Sequence, residues 1–134
     1  MVDPSRVASV SSLAGLPPDV QTALANAFDE VEVAAGERIA NQGDFAYELF
    51  AIVEGTARVE QDGQVVATIG PGELVGEIGL MLTGRRTAAI VAETPMVLLA
   101  MFEQSFRRLC SQHREFVDAV RDQGQNRFTR PATV

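Results

Sequence analysis

The sequence predicts a mainly-β domain, a small barrel or jelly roll with a helix before it and helices after it. Three observations carry this. Between Glu30 and Phe102, short runs rich in Val, Ile and Thr are punctuated by Gly or Pro at intervals of roughly ten residues. Asp62-Gly63 lies between the runs Ala57–Gln61 and Gln64–Ile69, a strong signal for a two-residue hairpin turn. On either side of this region the apolar spacing changes from alternation to steps of three and four, the period of a helix.

In chain order, Met1–Gly15 is Ser- and Ala-rich with little periodicity and reads as an arm or a short irregular helix. Pro17-Pro18-Asp19 is a helix start signal, and Val20, Leu24, Ala27 and Phe28 follow at helical spacing, so a helix is expected from about Pro18 to Phe28. Val65–Ile69 and Ala88–Ala92 read as strands. Met96–Phe102 is apolar at both alternating sets of positions, which predicts a strand with neighbours on both sides. Phe106, Leu109, Cys110, Phe116, Val117 and Val120 return to helical spacing, as two helices or one bent helix ending near Gly124. The expected organisation is an arm over residues 1–15 and one domain over 16–127. Within that domain a barrel spans about 30–102 and C-terminal helices about 103–124; a tail of 128–134 follows.

Composition narrows the chemistry. At 134 residues the chain has room for one core. A formal charge of −7 sets a net repulsion against a phosphate backbone, so direct nucleic-acid binding is not expected. All 11 basic residues are Arg, which excludes Schiff-base chemistry, pyridoxal anchoring and the lysine of a phosphate-binding P-loop. Cys110 is the only cysteine, ruling out an intrachain disulfide and fitting a reducing compartment. Apolar runs such as Met96–Phe102 fall far short of the roughly 20 residues that span a membrane, and no basic-then-apolar leader opens the chain. A soluble cytoplasmic domain is expected. The Arg-only, Ala- and Val-rich composition points to a GC-rich bacterial source.

The richest segment runs from Ile69 to Ala92. Gly72–Val75 reads as a turn feeding a short helical turn at about Glu77–Leu82, whose first N–H groups have no partner within that turn and suit an anion. Arg86 follows at the start of the next strand, within reach to fork onto a phosphate, and Thr87 adds a hydroxyl. Glu77 would repel an anion unless its oxygens serve a hydroxyl. One Arg, one Glu and glycines for close backbone approach together suggest a phosphorylated ribose.

Gly76-Glu77-Ile78-Gly79-Leu80 and Arg86-Thr87-Ala88, with that spacing between them, resemble the phosphate-binding cassette of the cyclic nucleotide-binding domain family. This family includes catabolite activator proteins, cyclic-nucleotide-dependent kinases and nucleotide-gated channels. The resemblance extends to Gly43-Asp44, Leu49–Val53, Gly55 and Gly70-Pro71-Gly72; Val75 and Arg85 depart from the commonest pattern, where Phe and Pro are frequent. It implies a double-stranded β-helix (jelly-roll) barrel and a non-enzymatic regulatory module that takes cAMP, with cGMP as the alternative ligand, and no cofactor. It further implies that Arg86 and Thr87 bind the cyclic phosphate with backbone N–H groups near Ile78 and Ala88. Glu77 and Gly76 would hold the ribose 2′-OH, Val59 and Val66 would line the base, and the segment Arg114–Gln123 would close over it. Homodimer pairing along the last helix is common in the family, although Gly124 shortens the seam here.

Two other functions compete. A domain of the same fold that has lost its ligand would act as a protein-interaction module; the presence of Gly76, Glu77, Arg86 and Thr87 argues against it. A cupin-type metal enzyme needs several histidines, and this chain has one, His113, outside the expected barrel. Cys110 and His113 share a helix but supply only two ligands. Arg85, Arg107, Arg108 and Arg114 read as solvated charge.

Overall fold

The computed structural model describes residues 1–77 and 79–128, with side chains outside 82 and 124–128. The chain begins with two helices. In α1 (Pro4–Ala8) Pro4 sits where its missing N–H costs nothing, and the Asp3 carboxylate accepts from Ser5 N–H at 2.9 Å as a cap. The segment read as an arm sends Val7, Val10 and Leu13 fully into the core. Helix α2 (Pro18–Ala27) also starts on proline, and buries Val20, Leu24 and Ala25.

Among the described residues eight strands follow: β1 (Asp29–Val33), β2 (Arg38–Ala40), β3 (Glu48–Glu54), β4 (Ala57–Gln61), β5 (Gln64–Ile69), β6 (Leu74–Val75), β7 (Ala89–Ala92) and β8 (Met96–Phe102). They form two antiparallel sheets, in the orders β1-β8-β3-β6 and β2-β7-β4-β5. Helices α3 (Glu103–Gln112) and α4 (Arg114–Phe128) follow the strands, broken at His113. The tail expected over 128–134 lies outside the described residues beyond Phe128.

The expected jelly-roll barrel is not what forms. No ladder joins the two sheets among the described residues; the domain is a mixed fold of two separate antiparallel sheets with flanking helices. Closing a barrel needs a continuous, staggered set of hydrogen bonds around its circumference. Here the edge strands β6 and β2 are two and three residues long, and the register shifts at Arg38/Ala40, Ile52/Glu54 and Val59/Glu60.

Strand β8 lies between β1 and β3, as its two-faced apolarity predicts. Leu99 and Met101 face the helices, packing with Leu49, Phe106, Leu109 and Phe116, whereas Met96, Leu98 and Ala100 face the second sheet. Strands β3 and β8 of the first sheet are thus buried on both sides, and the second sheet exposes Gln64, Val65 and Thr68 of β5. At the β4–β5 turn Asp62 (φ 53°) and Gly63 (φ 80°) both take the left-handed conformation that a two-residue hairpin requires.

Helix α4 is tied to both the N-terminal arm and the start of β6 by one buried side chain. Gln123 Oε1 accepts from Leu74 N–H at 3.4 Å and lies 2.6 Å from Ser12 Oγ. The Ser12 hydroxyl is also 2.8 Å from the Gly72 carbonyl, so its single proton goes to one or the other. Gln123→Leu removes the side-chain oxygen that links Leu74 N–H to Ser12 and is expected to destabilise the fold by about 0.5–1.5 kcal/mol. Urea unfolding should show a lower midpoint with unchanged slope, and hydrogen exchange at Leu74 should accelerate.

Candidate functional site

The site is built where β6 ends. Gly76 takes φ 93°, a conformation that L side chains rarely adopt, and the chain turns through Glu77 into one wide turn over Gly79–Thr83. Gly84 N–H donates to the Gly79 carbonyl at 2.7 Å, a five-residue step, and Leu80 N–H donates to the Gly76 carbonyl at 3.2 Å. A Cβ at Gly79 would stand 2.9 Å from the Arg85 carbonyl oxygen and 3.0 Å from Ala46 Cβ, so glycine lets the turn close onto the returning chain.

Residues 84–87 then run antiparallel to the β2–β3 loop. Ala46 N–H donates to Gly84 O at 2.9 Å, Phe45 and Arg85 form a bridge, Arg86 N–H donates to Asp44 O at 2.7 Å and Gly43 N–H donates to Arg86 O at 2.9 Å. Arg86, expected to open a strand, instead lies three residues before β7 on this short side ladder. Its side chain is 8% exposed. Nη2 donates to the Glu48 carbonyl at 2.7 Å, Nη1 reaches the Gly76 carbonyl at 3.5 Å, and Cζ stands 5.5 Å from the Phe50 ring centroid.

Burial lowers the pKa of Arg86, while the charges of Glu48 and Glu77 raise it; an arginine stays ionised through such a shift. A Cβ at Gly76 would collide with Arg86 Nη1 and come within 3.0 Å of Glu48 O, so this glycine is required for space as well as for conformation. The Glu77 side chain is 1% exposed and both its oxygens are withdrawn from solvent.

The fold therefore brings Gly76, Glu77 and Arg86 together. Thr87 follows, half-buried, and its carbonyl accepts from Gln61 Nε2 at 3.2 Å. Ala88 is buried between the sheets. Val59 is fully buried in the same core, opposite Ala67. The next pair is Glu60 with Val65, which leaves Val66 as the extra residue of a bulge, so Val66 and Ala67 both pack inward. Ile78 lies outside the described residues.

Sequence reasoning missed Phe50 and the Glu48 carbonyl, which seat the guanidinium; the alternation of β3 carried the only hint, in placing Phe50 on the inter-sheet face. Arg85 is exposed but engaged: Cζ lies 4.2 Å from the Phe45 ring centroid and Nη1 donates to Gly43 O at 3.0 Å. Arg107 pairs with Glu103 at 2.8 Å and its Nη2 lies 3.5 Å from the Leu80 carbonyl. Burial pushes the Cys110 thiol up despite nearby Arg107 and Arg121, which disfavours a thiolate nucleophile. Among the described residues no three His, Cys, Asp or Glu side chains gather to hold a metal ion, and no helix is long and apolar enough to cross a membrane.

The sequence profile of the cyclic nucleotide-binding domain matches residues 30–113. The chain belongs to that family. As a cyclic nucleotide-binding domain it is 35% identical over 94 residues to the cAMP-dependent protein kinase regulatory subunit of Eremothecium gossypii, covering 70% of this chain and 20% of that protein. It is 31% identical over 115 residues to a cyclic nucleotide-gated potassium channel of Mesorhizobium japonicum, covering 86% of this chain and 32% of the channel. The chain thus spans a third or less of the length of these relatives. In fold it resembles the regulatory subunit of a cAMP-independent protein kinase A from Trypanosoma brucei, with a TM-score of 0.80 and 23% identity over 95% of this chain and 44% of that one.

Proposed function

We propose that this domain is a regulatory, non-enzymatic module that binds cAMP at the Gly76–Ala88 cassette and reports occupancy through α3 and α4. The observation that carries the reading is the Arg86 guanidinium. It is buried against Gly76 and held by main-chain carbonyls, beside an acid that is also buried. A cation anchored by carbonyls keeps its charge for an anion, and the arginine fork matches a phosphodiester. A cleft of about 310 Å³ opens on the β2 side of Arg86, lined also by Asp44, Tyr47 and Glu48.

In this reading Arg86, Thr87 and the backbone near Ile78 and Ala88 take the cyclic phosphate, Glu77 and Gly76 take the ribose 2′-OH, and Val59 and Val66 line the base. Kinship with a cAMP-dependent kinase regulatory subunit favours cAMP over cGMP. Since a close structural likeness exists to a kinase subunit described as cAMP-independent, the assignment rests on these residues and not on the fold. The single thiol, Cys110, suits a reducing compartment, and we place the domain in the cytoplasm.

The route outward is physical contact. Leu80, in the wide turn, is buried in the same cluster as Phe106 and Leu109 of α3 and Phe116 of α4. Moving the turn must therefore repack the helices. Taking such an equilibrium from 1:99 to 99:1 needs about 5.5 kcal/mol of differential binding. A charge-assisted hydrogen bond contributes only about 1.5–3 kcal/mol, so sugar and base contacts must add to the phosphate site.

Calorimetric titration with cAMP, cGMP and 5′-AMP tests the proposal. Heats of binding are expected for the cyclic nucleotides with cAMP tighter, and saturation at about 100 times Kd should stabilise the domain by about 2.7 kcal/mol. Silence with both cyclic nucleotides would remove the reading and leave the protein-interaction alternative. The Glu77 assignment has its own check: wild type should prefer cAMP over 2′-deoxy-cAMP, and Glu77→Ala should bind both equally. A preference retained in that variant would take Glu77 off the sugar.

A further inference from the structure

One exposed residue far from the cassette in sequence is bound into it by a closed chain of hydrogen bonds. Gln42, in the β2–β3 loop, pairs both ends of its carboxamide with Asp62: Nε2 donates to Asp62 Oδ1 at 3.1 Å, and Oε1 accepts from Asp62 N–H at 2.9 Å. Asp62 is the first residue of the β4–β5 turn and is held at φ 53°. The preceding residue, Gln61, donates through Nε2 to the Thr87 carbonyl at 3.2 Å. On the other side of Gln42, Gly43 N–H donates to the Arg86 carbonyl at 2.9 Å, and Arg86 N–H donates to Asp44 O at 2.7 Å. Gln42, Asp62, Gln61, Thr87, Arg86 and Gly43 therefore form a ring in which each step is a covalent neighbour or a hydrogen bond.

The ring encloses the peptide that joins Arg86 to Thr87. Its Arg86 carbonyl accepts from Gly43 N–H and the Thr87 carbonyl of the next peptide accepts from Gln61 Nε2, so the two successive peptides are gripped from two different chain segments. A single flexible side chain on a surface does not ordinarily order a backbone, because it loses rotamer entropy in doing so. A carboxamide that meets a donor and an acceptor of the same residue is fixed in plane as well as in distance, which offsets that loss.

We propose that Gln42 is a positioning residue for ligand capture: through Asp62 it holds the hairpin turn and the β2–β3 loop together and so sets the orientation of Arg86 and Thr87. This rests on the reading that Arg86 and Thr87 hold the phosphate. Gln42 itself touches no ligand; it acts through the two residues that do.

The test is a donor–acceptor exchange. Gln42→Glu keeps an acceptor for Asp62 N–H but sets two carboxylates against each other, and should weaken cAMP binding by about fivefold to tenfold. Adding Asp62→Asn restores one donor and one acceptor in reversed order, with a residue that also tolerates the left-handed conformation, and should return affinity to within about twofold of wild type. A purely local role for Gln42 predicts no rescue, and equal weakening in the single and double variants would overturn the proposal. The ligand-free proteins supply a second readout by amide hydrogen exchange at Gly43 and Arg86. Exchange there should accelerate in Gln42→Glu and recover in the double variant; unchanged exchange in Gln42→Glu would overturn the proposal even if nucleotide affinity fell. If wild type binds no cyclic nucleotide while this exchange pattern holds, the ligand assignment fails and the positioning of Arg86 stands.

Discussion

Arg86→Ala is expected to cost about 2–5 kcal/mol of cAMP affinity, the largest loss of any single side-chain truncation in the domain. Among the described residues the guanidinium is the one buried cation of the cassette, anchored by the Glu48 carbonyl and floored by Phe50. Its removal takes away the phosphate partner and leaves the Glu77 charge facing an anionic ligand without an opposing charge from Arg86. Arg86→Lys should recover only part of the loss, because an ammonium is a point donor and cannot present two parallel N–H groups. Calorimetry on the three proteins checks this, and wild-type affinity in Arg86→Ala would remove the residue from its role.

Gly76→Ala should weaken binding to a comparable degree, by a different route. A non-glycine residue at φ 93° carries a conformational cost of about 1–2 kcal/mol, and the added Cβ falls where Arg86 Nη1 now sits. The guanidinium must leave its seat, so affinity falls although Arg86 is still present. Gly36→Ala separates the two effects: Gly36 has φ 87° with nothing within 4 Å of the place a Cβ would take, so it should lower thermal stability and leave binding intact. Loss of binding in both variants would mean that global strain, and not the collision with Arg86, is responsible.

How much of this is legible in the sequence depends on whether a feature has a local signature. Asp62-Gly63 needs two left-handed residues in succession, and few other pairs accept that, so the hairpin can be read directly. Met96–Phe102 can be placed between two strands because both of its faces are apolar, and the structure shows one face against the helices and the other against the second sheet. The Gly76, Glu77 and Arg86 spacing is also readable, since each residue type answers a separate chemical need.

Other features have no such signature. Strand β1 alternates as Glu-Val-Glu-Val over only four residues and buries Val33 but not Val31, so its pattern is too short to announce an edge strand. Residues 74–75, which read as part of a turn, pair with Phe50 and Ala51 to form β6. Whether two sheets close on each other depends on the length of their edge strands and on register shifts, which hydrophobic rhythm does not encode. That is why the rhythm predicts a barrel where two separate sheets form. The partners of Gln42 and Gln123 lie 20 and 49 residues or more away, and each carboxamide meets a main-chain N–H together with a common polar side chain, so no local pattern of residue types points to them.

The most direct test of the central claim is a crystal structure of the domain grown with cAMP. The account predicts the cyclic phosphate within about 2.7–2.9 Å of the Arg86 guanidinium nitrogens and the ribose hydroxyl on the Glu77 carboxylate. A nucleotide seated elsewhere, with Arg86 still bonded to the Glu48 carbonyl and touching no phosphate, would contradict it.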